Sequence, residues 1–190
     1  MAYLTSVPDM MIYAPSNFSE LRSMLRQAVL EEKGPVAVRY PRGGEGAFKD
    51  DTSDAPAVLL RDGGDVTIVS YGIELNAALD AAERLSRENV GAAVLKLNRL
   101  APLDTELVRE SVSRTGRLMV AEDVCRSGGM GEKLLAALAE DGVSLRNAAL
   151  LNTGSGILPN GDPEDLRRSV GLDGAGIAGR VMEIMNEDKT

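Results

Sequence analysis

Short runs of β-branched and aliphatic residues alternate with amphipathic stretches of ten or more residues along almost the whole chain, and few folds accept that pattern. Strands joined by helices of such length return through right-handed crossovers, so most of them must lie parallel in one sheet. The expected fold class is therefore α/β, a mostly parallel sheet flanked by helices. An apolar share of 44% is enough for a real core, but only 3% of the residues are aromatic. Ala, Val, Leu and Ile must fill that core, which favours helices on parallel strands over an aromatic-rich β-sandwich. At 190 residues the chain suits one domain, or one domain plus a piece of another.

Residues 11–14 read as a short strand ended by Pro15. Asn17 is placed to cap a helix, Glu20 follows three positions later as in a capping box, and Leu21, Met24, Leu25, Ala28 and Val29 form one apolar stripe. Gly34-Pro35 ends that helix, and 36–40 is the next strand. This αβ unit, residues 2 to about 43, has too few elements for a core of its own. Gly43-Gly44, Gly46, Lys49-Asp50-Asp51 and Ser53-Asp54 read as a linker over 43–57 that crosses to a second domain.

Beyond the linker come a short strand at 58–60, a turn at Asp62-Gly63-Gly64 and a buried strand at 66–70. The helix from 74 to about 87 carries Leu75, Ala78, Leu79, Ala82 and Leu85 on one face, and 92–97 is a strand. Asp104 is placed to cap a helix that ends at Gly116, with Leu107, Val108 and Val112 facing inward. A strand at 118–121 runs into Glu122-Asp123, a helix spans about 130–140, and 148–151 is the last strand. Asp162-Pro163 starts the closing helices in cap-then-proline order, and Ile177, Val181, Ile184 and Met185 share a face near the end.

Several chemistries are excluded by composition. With 29 acidic against 21 basic residues the net charge is −8, so neither nucleic acid nor an anionic membrane is an expected partner. One local basic pocket for a small phosphate stays compatible with that charge. The longest apolar runs are far short of a membrane span and no basic segment leads into an apolar one at the N-terminus, so a soluble cytoplasmic protein is expected. Cys125 stands alone, which precludes an internal disulfide and suits a reducing compartment. The chain has no histidine, which removes Ser-His-Asp and Cys-His nucleophile systems, His metal sites and, with one cysteine, structural zinc.

Ligands of open α/β sheets sit beyond the C-terminal ends of the strands. Those ends are 40–43, Tyr71-Gly72, Asn98-Arg99, 122–131 and 152–161. Arg42 is the leading candidate: Pro41 fixes the backbone before it, Gly43-Gly44 leaves room beside it, and a guanidinium at a strand end matches phosphate oxygens in fork geometry. Bridging of domains through carboxylates is the alternative role. Arg39, two positions earlier on the same side, reads as a packing or ion-pair residue. Gly128-Gly129-Met130-Gly131 opens a helix after a strand, where backbone N–H groups can cradle an anion, yet tight helix-to-strand packing explains the same glycines. Glu122-Asp123 can orient loops or an interface; as neighbours on a strand they point to opposite faces and suit acid–base pairing poorly. Cys125 reads as a bystander thiol.

Several segments in order carry a resemblance. Tyr3-Leu4, Val7-Pro8-Asp9-Met10, Ala14-Pro15-Ser16-Asn17 and Glu20-Leu21 are followed by Gly34-Pro35 and Tyr40-Pro41-Arg42-Gly43. Ala101-Pro102-Leu103-Asp104, Glu122-Asp123, Gly128-Gly129-Met130-Gly131 and Gly171-Leu172-Asp173-Gly174-Ala175-Gly176-Ile177 come after them. Together they resemble the C-terminal part of thiamine-diphosphate-dependent enzymes of the transketolase family, and within it the 1-deoxy-D-xylulose-5-phosphate synthases. Tyr-Pro-Arg-Gly is the most specific of these matches.

That resemblance implies residues 2–45 as the C-terminal tail of a pyrimidine-binding transketolase domain and 55–190 as a transketolase C-terminal domain. It implies a transferase, in its intact form, that condenses pyruvate with glyceraldehyde 3-phosphate for isoprenoid synthesis, working as a homodimer on a phosphorylated sugar substrate. Thiamine diphosphate and magnesium would serve the intact enzyme. The Gly-Asp-Gly…Asn motif and the activating glutamate of the family are not found here, so this chain, starting partway through a domain, is expected to bind no cofactor or metal and to be inactive alone. Its expected work is dimer contact and walling of the active-site cleft. Of the substrate-contacting residues only Arg42 carries over, as a contact to the aldehyde's phosphate. Residues 152–161 are shorter than the family's stretch and lack its aspartate, and Val124-Cys125-Arg126 departs from its usual turn. A split transketolase, a 2-oxo-acid dehydrogenase β-subunit and a non-catalytic dimerisation module stand as alternatives.

Overall fold

A computed structural model describes residues 2–187, over which the apolar runs become eight strands and six α-helices. Met11–Tyr13 (β1) and Val36–Val38 (β2) lie parallel, joined by the helix Phe18–Leu30 (α1). Asn17 caps α1, its side chain accepting the N–H of Glu20 at 2.9 Å, but the returning bond is shifted by one residue: Glu20 accepts from Ser16 N at 2.8 Å. The apolar stripe is realised only in part. Met24 is buried, whereas Leu25 and Val29 are exposed, because none of the described residues covers that flank of the helix; Phe18 and Leu30 are exposed with them.

The larger sheet contains Ala57–Arg61 (β3), Val66–Ser70 (β4), Ala92–Leu97 (β5), Arg117–Ala121 (β7) and Asn147–Leu151 (β8), with Arg99–Ala101 (β6) lying outside it. Its order is β3-β5-β4-β7-β8, and every pairing is parallel except the edge pair β3-β5. The four parallel strands, β4, β5, β7 and β8, are thus connected by the expected crossovers through Leu75–Arg87 (α2), Glu106–Thr115 (α3) and Met130–Glu140 (α4). The short helix Pro163–Ser169 (α5) and the long helix Gly174–Glu187 (α6) close the fold. Helix α3 begins at Glu106 rather than directly after Asp104, although the Asp104 carboxylate still accepts the Glu106 N–H at 3.0 Å.

Each face of the sheet has its own core. Ala78, Ala82 and Leu85 of α2 and Ile177, Val181 and Ile184 of α6 bury Ile68, Val94 and Met119 on one side. Val108 and Val112 of α3 with Met130, Leu134 and Leu138 of α4 cover Val69, Leu95, Leu118 and Val120 on the other. Each of the Val, Leu, Ile and Met side chains among these, buried fully, contributes roughly 1.5–3 kcal/mol.

The N-terminal unit shares the second core. Ile12 and Ala14 pack into it, and β6 pairs antiparallel with β1, making a three-stranded sheet of order β2-β1-β6. A buried polar network fastens the same junction. Lys96 on β5 pairs with Glu20 on α1 at 2.8 Å, both side chains fully buried. Thr52 in the linker donates its hydroxyl to Glu20 at 2.7 Å, and Asn98 bonds Lys96, Thr52 and Ala55. The linker over 43–57 is therefore anchored at Thr52 to both halves.

Candidate functional site

The Arg39 end of the N-terminal unit lies across the C-terminal edge of the large sheet. Arg39, just past β2, stacks over the Tyr71 ring at 5.5 Å and pairs with Asp123 at 2.5 Å. It is the half-buried ion-pair residue that its place on the strand suggested. Beside it, Tyr71 donates its hydroxyl to Glu122 at 2.8 Å, and burial pushes that phenol far above its ordinary pKa, with the Glu122 charge adding to the effect.

Glu122 also resolves the glycine turn. Its carboxylate accepts the N–H of Met130 at 2.8 Å and of Gly131 at 3.1 Å, so the amides at the start of α4 already hold an anion supplied by the protein. A Cβ on Gly129 would sit 2.3 Å from Glu122 Oε1, which is why only glycine fits there. The turn is close packing around an internal carboxylate. Cys125 is exposed, its thiol donating to Ser127 O at 3.5 Å. The 152–161 loop is tied at its base by Thr153 Oγ1 to Val124 O, and Ile157 stands exposed at its tip.

Arg42 lies four residues beyond β2 on a glycine-rich strap, exposed, with no hydrogen bond or ion pair among the described residues. Two clefts meet at this strap. The larger, about 750 Å³, opens between residues 41–46, the start of α2 and α5, and includes Glu74, Asp80 and Arg167. The smaller, about 330 Å³, lies against the start of α1 and is walled by Pro15, Phe18, Leu21, Tyr40 and Ile73. Arg42 and Glu45 line both. Glu45 accepts the Phe18 N–H at 2.8 Å and pairs with Lys49 at 2.5 Å; Lys49 first, then that amide, hold its carboxyl below the usual range.

Glu74, at the head of α2, is the buried charged group in the wall of the larger cleft. It is 1% exposed, and Arg167 Nε lies 2.6 Å from its Oε1, yet neither oxygen accepts a well-directed hydrogen bond. Burial, and next the charge of Asp123, push its pKa up to about 7 against the opposing pull of Arg167 and Arg39. Neither Glu74 nor Arg167 stood out in the sequence: both read as ordinary helix residues, and no local pattern signals that two distant helices meet. Lys96 did carry a signal, as the one charged residue in an apolar strand. Among the described residues no three His, Cys, Asp or Glu side chains converge to hold a metal ion, and no helix is long and apolar enough to cross a membrane.

The profile of the transketolase C-terminal domain matches residues 55–177. Among curated proteins, the 1-deoxy-D-xylulose-5-phosphate synthase 1 of Geobacter metallireducens is 35% identical over 97% of this chain and 30% of its own length. Synthase 1 of Geobacter sulfurreducens is 36% identical over 94% of the chain and 29% of its own length. That of Heliobacterium modesticaldum is 35% identical over 100% of the chain and 30% of its own. The chain thus spans about 30% of the length of the curated relatives it matches. Among solved structures, a split-gene transketolase in an inactive β4 tetramer superposes with a TM-score of 0.85 at 29% identity, covering 97% of this chain and 60% of that one.

Proposed function

This chain belongs to the transketolase family through its C-terminal domain, and on that premise we propose that it is the C-terminal part of a thiamine-diphosphate-dependent 1-deoxy-D-xylulose-5-phosphate synthase. The intact enzyme would condense pyruvate with glyceraldehyde 3-phosphate to supply isoprenoid precursors, in the cytoplasm. Thiamine diphosphate supplies the carbon–carbon chemistry in such an enzyme. The Gly-Asp-Gly…Asn motif that holds magnesium and the diphosphate in the family is not found in this sequence, which supports reading the part of this chain as binding and positioning. Residues 2–45 would complete a pyrimidine-binding domain, and residues from about 55 onward would wall the cleft and form the dimer contact. The exposed apolar flank of α1 supports that arrangement, being surface that the rest of such a domain, or a second copy, would cover.

The observation that carries the reading is Arg42, an unpaired guanidinium on a glycine-flanked strap where two clefts meet, within a chain similar to these synthases over nearly its whole length. A phosphate gripped there gains charge-assisted bonds in fork geometry. In the intact enzyme, Arg42→Ala would then raise KM for glyceraldehyde 3-phosphate and lower kcat/KM about tenfold to a hundredfold, for a loss of about 1.4–2.7 kcal/mol. Pyruvate, without a phosphate, would be little affected, and Arg42→Lys would recover only part. Equal loss toward both substrates would make Arg42 a structural bridge instead.

One observation favours a second reading. A solved structure whose match covers 97% of this chain is a split-gene product, so the present chain is read alternatively as one polypeptide of a two-chain transketolase. Activity toward sugar-phosphate donors rather than pyruvate, once the partner polypeptide is supplied, would select it.

A further inference from the structure

The smaller cleft holds two features that the role given to Arg42 leaves unused. Ser16 is 3% exposed and its hydroxyl has no hydrogen-bond partner among the described residues, although its backbone N–H is satisfied by Glu20. A buried hydroxyl left unpaired is unfavourable, and this one belongs to a residue on the wall of a cleft. The second feature is Glu45. Its carboxylate takes the first N–H of the 13-residue helix α1, so the positive end of that helix is already occupied by an anion. Glu45 rides on the same strap as Arg42, three residues later. Gly43 in that strap has φ +121°, a conformation only glycine adopts without strain, and Gly43 and Gly44 face open space.

We propose that Glu45 is a built-in competitor for the ligand's phosphate: a short phosphate monoester displaces the Glu45 carboxylate from the start of α1 and is held there by the Phe18 amide, the Ser16 hydroxyl and Arg42. This rests on the reading of Arg42 as a phosphate contact. One amide proton cannot serve two anions at once, so entry of the phosphate requires the strap to move. Because Arg42 and Glu45 share the strap, release of one and engagement of the other are parts of the same movement. The site's affinity is reduced by the fraction of time Glu45 occupies it. A volume of about 330 Å³ with Pro15, Phe18, Leu21, Tyr40 and Ile73 as walls suits a three-carbon monoester.

The test is titration of the 190-residue chain with glycerol 3-phosphate, with glycerol as the phosphate-free control, by isothermal calorimetry. Glu45→Ala should bind glycerol 3-phosphate about tenfold tighter than the parent chain, and Ser16→Ala about tenfold weaker. Glycerol should bind none of them. Ser16→Ala should be at least as stable to urea as the parent, since it removes an unpaired hydroxyl, so a weaker affinity is not a folding defect. Glu45→Ala binding no better than the parent, or Ser16→Ala binding as well as the parent, would overturn the proposal, as would no binding by any variant. Arg42→Ala separates the two ideas. Should it abolish binding while Ser16→Ala and Glu45→Ala change nothing, only the competitor fails; should it bind like the parent, the reading of Arg42 fails first.

Discussion

Replacing Lys96 by methionine keeps the length of the side chain and removes its charge, which leaves the Glu20 carboxylate buried without its cation. Both side chains are fully buried and their charged atoms are 2.8 Å apart. Breaking a buried pair from one side costs about 3–5 kcal/mol, because the remaining charge stays desolvated. Glu20 keeps hydrogen bonds from Ser16 N, Thr52 N and Thr52 Oγ1, so the lower end, about 3 kcal/mol, is expected. Glu20→Gln strands Lys96 against Thr52 and Asn98 and should cost a similar amount. The double variant Glu20→Gln/Lys96→Met leaves no charge from this pair buried, and should be more stable than the sum of the single losses implies by at least about 2 kcal/mol. Urea unfolding at pH 7 and fixed chain concentration reads this as a shift of midpoint at constant m-value. A loss under about 1 kcal/mol for Lys96→Met would refute the reasoning, since that is the range of an exposed pair. Strict additivity in the double variant would refute it equally.

Glu74 gives a pH dependence of definite sign. Its pKa is about 7 in the folded chain against an ordinary 4.5, so the folded state binds the extra proton between those values; the stability linked to this group is full below about 4.5 and lost as pH rises toward 7, on the order of 3 kcal/mol. Wild type should therefore lose stability relative to Glu74→Gln between pH 5 and pH 8, and a constant difference would count against the assignment. The isolated chain should self-associate through the apolar flank of α1, and Leu25→Lys/Val29→Glu should weaken that association; sedimentation over a concentration range that finds a monomer throughout would contradict it. Calorimetric titration of the chain with thiamine diphosphate and magnesium should show no micromolar site.

The crossover pattern was legible because period alone separates strands from helices, and the spans 92–97 and 130–140 coincide with β5 and α4. The α1 stripe was misleading for a physical reason: periodicity reports that Leu25 and Val29 share a face, not whether anything covers it. Strand β6 was invisible because Arg99–Ala101 carries one large apolar residue, Leu100, between a charged residue and an alanine before Pro102, and its partner β1 lies far earlier in the chain. At the site, the strap with Arg42 could be read from Pro41 and the glycines beside it. In the sequence Glu122 reads as a residue able to orient loops or an interface and as a poor acid–base partner; that it fills the glycine turn depends on how β7 meets α4. Ser16, Glu45, Glu74 and Arg167 acquire meaning only through neighbours 20 to 100 positions away, which no local motif encodes.

The most direct measurement joins this chain to the upstream part of the Geobacter metallireducens synthase, in place of the segment it matches, and follows product formed from pyruvate and glyceraldehyde 3-phosphate. The chimera should make 1-deoxy-D-xylulose 5-phosphate, and Arg42→Ala within it should lower kcat/KM for the aldehyde about tenfold to a hundredfold with little change for pyruvate. A folded chimera that binds thiamine diphosphate but forms no product from pyruvate, or that uses only transketolase-type sugar phosphates, would contradict the assignment.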